Sequence, residues 1–236
     1  IGNREEIAEL LANHGTHEMG LSLDVLPQLD VADAYLIDGD HNYYTVYREI
    51  EAIIEKALAG RSNGRLPAGK ARSEDRDSPE PASGEIQENF TEALPILLFH
   101  DVGWPYGRRD MYYSPDNVPS EGVLPHAQKG IKPGQSALLD DGGMNAHLDN
   151  ALEEGTPKNG VFTAIEDCAE RYRADYDLYR VPGWHGLGLL APKKGLPKAA
   201  KALIDERFDL HGFYRDFAKA LERSRCDTLF EKEQKN

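Results

Sequence analysis

Two short apolar runs in this sequence end on side chains that can bind metal ions or move protons. Tyr35-Leu36-Ile37 runs into Asp38-Gly39-Asp40-His41, and the run Leu94 to Phe99 ends on His100-Asp101. Carboxylate oxygens are the ligands that a hard divalent cation such as Mg²⁺ prefers. Two carboxylates brought close without a cation repel and shift each other's pKa, so Asp38 and Asp101 form a candidate metal pair if their strands are neighbours. Histidine titrates near neutrality, which suits His41 to take the proton of a hydroxyl whose acidity a bound cation has raised. His100 or Asp40 could complete the ligand set; successive strand residues point to opposite faces, so His100 qualifies only where the strand has already ended. The same residues have plainer uses: Asp38 as the cap of the next helix, Asp101 as the start of a turn, His41 as a surface residue of a first helical turn.

The elements around these residues are legible from periodicity. Asp33 to Asp38 and Leu94 to Phe99 are short apolar runs of the kind that fill buried parallel strands. Between them, Asn42 to Leu58 is an amphipathic helix with Val46, Ile50, Ile53, Ile54 and Ala57 on one side. Ile7, Leu10 and Leu11 predict an earlier helix that stops at Asn13-His14-Gly15, and Ser22 to Leu29 a short helical turn. Residues 160 to 173 are helical. "YDLYRVP" and "GLGLLAPK", separated by Gly183-Trp184-His185, predict an antiparallel strand pair at a sheet edge, with Trp184 in a structural role at its turn. Helices over 197–207 and 211–223 close the chain. Strands alternating with helices indicate an open α/β sheet, and in such sheets ligands bind beyond the carboxyl ends of the strands, where both acidic clusters fall.

Composition supplies the boundaries. Residues 1–59 form a first helix–strand–helix part, residues 60–92 a flexible insertion of Gly, Pro, Ser and charge with almost nothing to bury, residues 93–195 the rest of the core, and residues 196–236 the terminal helices. Within the core, residues 103 to 160 make a long excursion with short helical turns. It contains "GWPYGRRDMYY", where Trp104, Tyr106, Tyr112 and Tyr113 interleave with Arg108 and Arg109. That mixture could stack on a ring and hold an anionic group of a substrate, or anchor the loop with Arg108 and Arg109 paired to local acids such as Asp110 and Asp116. Acidic residues outnumber basic ones, 41 to 27, for a formal charge of −14, which disfavours nucleic acid as a partner. No apolar stretch approaches the roughly 18 residues of a membrane span. The two cysteines, Cys168 and Cys226, lack metal or disulfide spacing and fit a reducing cytoplasm.

"GLSLDVLPQL" from Gly20, "LIDGDHNYY" around Asp38 and "LLFHDV" around Asp101 together resemble the class I S-adenosylmethionine-dependent methyltransferases. Within that class the likeness is to metal-dependent O-methyltransferases of the catechol type and their bacterial sugar- and antibiotic-tailoring relatives. The resemblance implies a Rossmann-like sheet, mostly parallel with an antiparallel edge hairpin, and two cofactors: S-adenosylmethionine and a divalent cation, Mg²⁺ by preference. It implies a small-molecule hydroxyl, on a sugar or an aromatic, as acceptor. By it, Ser22 and Leu23 lie against the adenine of the donor, with Gly20, Asp38 and Gly39 also on the donor side. Asp38 and Asp101 are metal ligands, joined by His100, and His41 stands where the catechol-type enzymes place a general-base lysine. Two departures accompany it: Val102 follows Asp101 where that family has Asn, and no Gly-rich donor-binding turn precedes residue 20, as expected of a chain truncated at its front. Leu36-Ile37 then belongs to the family's fourth strand and Leu97-Leu98 to its fifth. "LIDGD" is also similar to the Asp-x-Asp opening of haloacid-dehalogenase-like phosphatases, with Asp140-Asp141 as a late acidic pair. A catalytically silent methyltransferase-like fragment is the third reading.

Overall fold

The computed structural model describes residues 18–62, 94–208 and 211–233. The expected first helix lies outside them, as does all of the expected insertion except its first three residues, Gly60 to Ser62, which continue a helix.

Along the chain come α1 (Ser22–Val25), which runs into a 3₁₀ turn at Leu26–Gln28, β1 (Ala34–Ile37), α2 (Tyr43–Ser62) and β2 (Ile96–His100). The excursion carries β3 (Met111–Tyr112), β4 (His126–Gln128) and β5 (Asp149–Ala151). It is followed by α3 (Val161–Arg171), β6 (Tyr176–Val181), β7 (Leu187–Pro192), α4 (Lys198–Phe208) and α5 (Gly212–Glu233). The fold is mixed α/β.

The main sheet has the order β1-β2-β7-β6. β1 and β2 are parallel, Ala34 opposite Ile96 and Ile37 opposite Phe99, while β7 runs antiparallel to both of its neighbours. The period of two along a strand divides the core between the two faces. Leu97, Phe99 and Leu190 join the buried faces of α2 and α3, including Ile50, Ile54 and Ile165. Ile96, Leu98, Leu189 and Ala191 point the other way, toward Ile204 of α4. The apolar positions expected of α2 (Val46, Ile50, Ile53, Ile54 and Ala57) are all buried.

Three expectations change. Among the described residues the main sheet is mixed rather than mostly parallel: only β1–β2 is a parallel pairing, while β2–β7 and the expected edge hairpin β6–β7 are antiparallel. The excursion holds a second antiparallel sheet, β3-β5-β4, whose strands of two or three residues are too short to print a period in the sequence. Its core of Tyr106, Met111, Ile131 and Met144 is closed by Leu229 and Phe230, which explains why α5 continues to Glu233 rather than stopping at 223. Among the described residues β1 pairs on one side only, and Leu36 is 71% exposed. No described helix is long and apolar enough to cross a membrane.

Candidate functional site

Because β1 and β2 are adjacent and parallel, the acids that follow them emerge at the same end of the sheet. Asp38 Oδ1 lies 3.1 Å from His100 Nδ1, and Asp101 Oδ1 lies 3.5 Å from the same nitrogen. Ligand atoms of Asp38, His100 and Asp101 all fall within 4.8 Å of one another. Strand alternation alone would separate His100 from Asp101. β2 ends at His100, however, and Asp101 adopts the left-handed region, φ 56°, which Asp tolerates better than most residues. That reversal turns both side chains toward Asp38.

The imidazole of His100 is held by tertiary structure. Its Nε2 meets the carbonyl of Trp184 at 2.8 Å; a carbonyl only accepts, so Nε2 carries the proton and Nδ1 faces the two carboxylates. A backbone acceptor of this kind fixes the tautomer of metal-binding histidines. Nδ1 then either bears a second proton for Asp38 or offers a lone pair to a cation shared with the carboxylates. Burial lowers the His100 pKa, but Asp101, the Trp184 carbonyl and Asp38 outweigh it and the net shift is upward. For Asp101 burial raises the pKa, and His41, then His100 and His185, reverse the sign. Trp184 and His185 are themselves both left-handed, φ 50° and 67°. This aims the Trp184 carbonyl at His100 and the His185 carbonyl at the amide of Gly103.

His41 Nε2 approaches Asp101 Oδ2 at 2.6 Å. The pair is within ion-pair distance, and neither ring nitrogen has an aligned hydrogen-bond partner. Asp101 Oδ1 is likewise buried without one. His41 is 7% exposed and not the surface residue of the plainer reading. The rings of Tyr106 and Tyr113 cover it, at centroid distances of 5.4 and 5.7 Å. The excursion holds it in place: Met111 N donates to the His41 carbonyl at 3.0 Å, and Asp110 Oδ1 accepts from the amides of Tyr43 and Gly160 at 2.7 and 2.6 Å. The cap of α2 is Asn42, whose Oδ1 accepts from Thr45 N at 2.8 Å. Asp38 is thereby released from capping.

The remaining sequence candidates separate. Gly20, Ser22 and Leu23 sit at the start of α1, where the Ser22 hydroxyl lies close enough to Glu49 of α2 to pull its pKa down. Gly39 has open space where a side chain would be. Trp104 stands at a cavity edge, and Tyr106 is buried with its hydroxyl accepting from Asn145. Arg108 is engaged by Glu166 and Thr163 of α3. Arg109 does not fit the substrate role: it is 1% exposed and donates to the carbonyls of Ala151 and Ser136, with Glu154 at 3.6 Å. Neither arginine pairs with Asp110 or Asp116. Asp140 pairs with Lys129 at 2.7 Å and is almost fully exposed, and the acids that group with Asp38 do not include Asp140 or Asp141. The indole of Trp184 is 77% exposed, so it is the backbone of this residue, not its side chain, that is structural.

Glu49, Asp110 and the Glu222 network were not visible as functional positions in the sequence. Glu222 receives the amides of Trp184 and His185 and the guanidinium of Arg225, which clamps the 183–186 turn to α5. With His185 and Cys226 it forms a second group of possible metal ligands. Arg225 already lies 3.3 Å from His185 Nε2, and burial pushes the Cys226 thiol up to about 11, which makes this group a structural clamp. Both cysteines are free and buried.

No protein-family model, no curated protein and no solved structure matches the chain.

Proposed function

We propose that this protein is an S-adenosylmethionine-dependent O-methyltransferase that acts, with a divalent cation, on a small-molecule hydroxyl of a sugar or an aromatic. The observation that carries the reading is the convergence of Asp38, His100 and Asp101 at the carboxyl ends of two adjacent parallel strands, with His41 against Asp101. This is the set that the resemblance to metal-dependent O-methyltransferases implies. The parallel pair β1–β2 followed by the β6–β7 hairpin accords with β1 and β2 as that family's fourth and fifth strands in a Rossmann-like sheet. Among the described residues the outer edge of β1 is unpaired.

The donor set suits a cation, because two carboxylates and a histidine whose Nε2 proton is fixed leave Nδ1 and the buried, unpartnered Asp101 Oδ1 facing inward. Asp38, His100 and Asp101 would hold the cation, which would supply Lewis acidity to the acceptor hydroxyl. His41 receives the hydroxyl proton at Nδ1, since Nε2 is turned to Asp101. Tyr106 and Tyr113 flank the imidazole and exclude water, and Tyr113, the more exposed of the two, moves aside for the acceptor. Gly20, Ser22, Leu23 and Gly39 are assigned to the methyl donor.

The test combines calorimetric titration with S-adenosylmethionine and Mg²⁺ or Mn²⁺ and transfer assays over a panel of sugar and phenolic acceptors. Asp38→Asn and Asp101→Asn should each abolish cation binding and transfer while donor binding persists. His41→Ala should keep the cation and lose turnover most at low pH, recovering as rising pH ionises the acceptor unaided. Transfer that continues undiminished in excess chelator would remove the metal role, and absence of donor binding would remove the methyltransferase reading.

A further inference from the structure

The strongest unassigned feature is a basic trough between the β6–β7 hairpin and α5. Two adjoining cavities, of about 260 and about 450 Å³, share Arg180, Pro182 and Lys219 as borders. Arg223 adds a third cation to the first cavity and Arg215 a fourth to the second. In a chain of net charge −14 such a concentration of one sign is not what average composition provides.

The charges are also free to act. Among the described residues no hydrogen bond or ion pair engages Lys219 or Arg223, and Arg215 has only Asp216 at 3.9 Å. Arg180 spends one N–H on the Val102 carbonyl at 2.8 Å and rests 4.1 Å above the Phe162 ring, which fixes its guanidinium and leaves its other N–H groups available. The one carboxylate on the wall of the first cavity, Glu222, is consumed by Arg225 and the amides of Trp184 and His185. The remaining wall is largely apolar, formed by Trp104, Pro133, Pro182 and the backbone of four glycines.

We propose that this trough binds a small ring-bearing pyrophosphate ester, of the nucleoside diphosphate class. Several cations converging on one concavity match an anion of several charges, where a single carboxylate would neutralise only one of them. The apolar wall with Trp104 matches a planar ring, and the larger of the two cavities falls in the size range of small-molecule sites. The proposal stands on its own geometry and does not need the methyltransferase reading.

Of the two tryptophans of the chain, Trp104 lines the first cavity and Trp184 sits in the turn beside it, so intrinsic fluorescence reports on the site. The full chain is titrated in chelator with uridine diphosphate, inorganic pyrophosphate and uridine; a uridine nucleotide avoids the adenosine of the methyl donor. Saturable quenching is expected, tightest for uridine diphosphate, weaker for pyrophosphate and weakest for uridine, with affinity falling as salt is added. Arg223→Gln and Lys219→Gln, both at exposed positions, should each weaken binding about tenfold or more. Lys194→Gln, the same charge change beyond the far end of β7, should leave it unchanged, as should Asp38→Asn. Absence of saturable quenching at millimolar uridine diphosphate, or equal binding by the Arg223 and Lys219 variants, overturns the site. Pyrophosphate binding as tightly as uridine diphosphate overturns the assignment of a ring.

Discussion

Glu49 offers the sharpest quantitative test of the packing around the site. Its side chain is buried in α2 at 5% exposure, and Oε2 has no hydrogen-bond partner. Burial pushes its pKa from 4.5 up to about 7, with the Ser22 hydroxyl pulling it down and Asp40 adding to the rise. A group whose folded pKa is raised contributes stability below its unfolded pKa, and that contribution is lost as pH climbs through the folded value. The window is therefore pH 4.5 to about 7, and above it the folded state carries the full cost of a buried charge. At about 1.4 kcal/mol per pH unit, the interval from 4.5 to about 7 amounts to about 3 kcal/mol. Glu49→Gln keeps the shape without the charge. Urea denaturation should find the variant close to wild type at pH 4.5 and about 3 kcal/mol more stable at pH 8.5, and melting at pH 8.5 should rise by about 6–12 °C for a chain of this size. A stability difference that does not change between the two pH values would refute the reasoning, because only ionisation of Glu49 makes the effect depend on pH.

Arg109→Met should destabilise by about 3–5 kcal/mol, since it removes a buried guanidinium and strips the half-buried Glu154 and two backbone carbonyls of their partner; denaturant melts read this, and a loss under 1 kcal/mol would argue against an anchoring role. Asp110→Ala removes the acceptor of the Tyr43 and Gly160 amides and of the Tyr112 hydroxyl, and should cost about 2–4 kcal/mol together with faster hydrogen exchange at Tyr43. Trp184→Ala retains the backbone contacts of the turn, and its melt should stay within about 0.5 kcal/mol of wild type.

Local pattern determined a good part of this protein. The apolar face of α2 follows from a helical period sustained from Val46 to Ala57, and the parallel pair β1–β2 from two apolar runs flanking that helix. The acids at the strand ends are legible for the same reason, since a charged residue closing an apolar run marks where the strand ends. Strands of two or three residues carry too little pattern to be read, which hid the sheet of β3, β4 and β5 and with it the hold that Met111 and Asp110 exert on His41 and α2. Charge type was equally uninformative about burial: Arg108 and Arg109 are neighbours in sequence, yet one is partly exposed beside Glu166 and the other is enclosed among carbonyls. The joint orientation of His100 and Asp101 was decided by a left-handed φ at Asp101 and by a carbonyl of Trp184 more than 80 residues downstream. Periodicity records which face of an element is buried, whereas the direction in which a side chain at its end finally points depends on backbone conformation and on partners distant in the chain, and those exist only once the fold has formed.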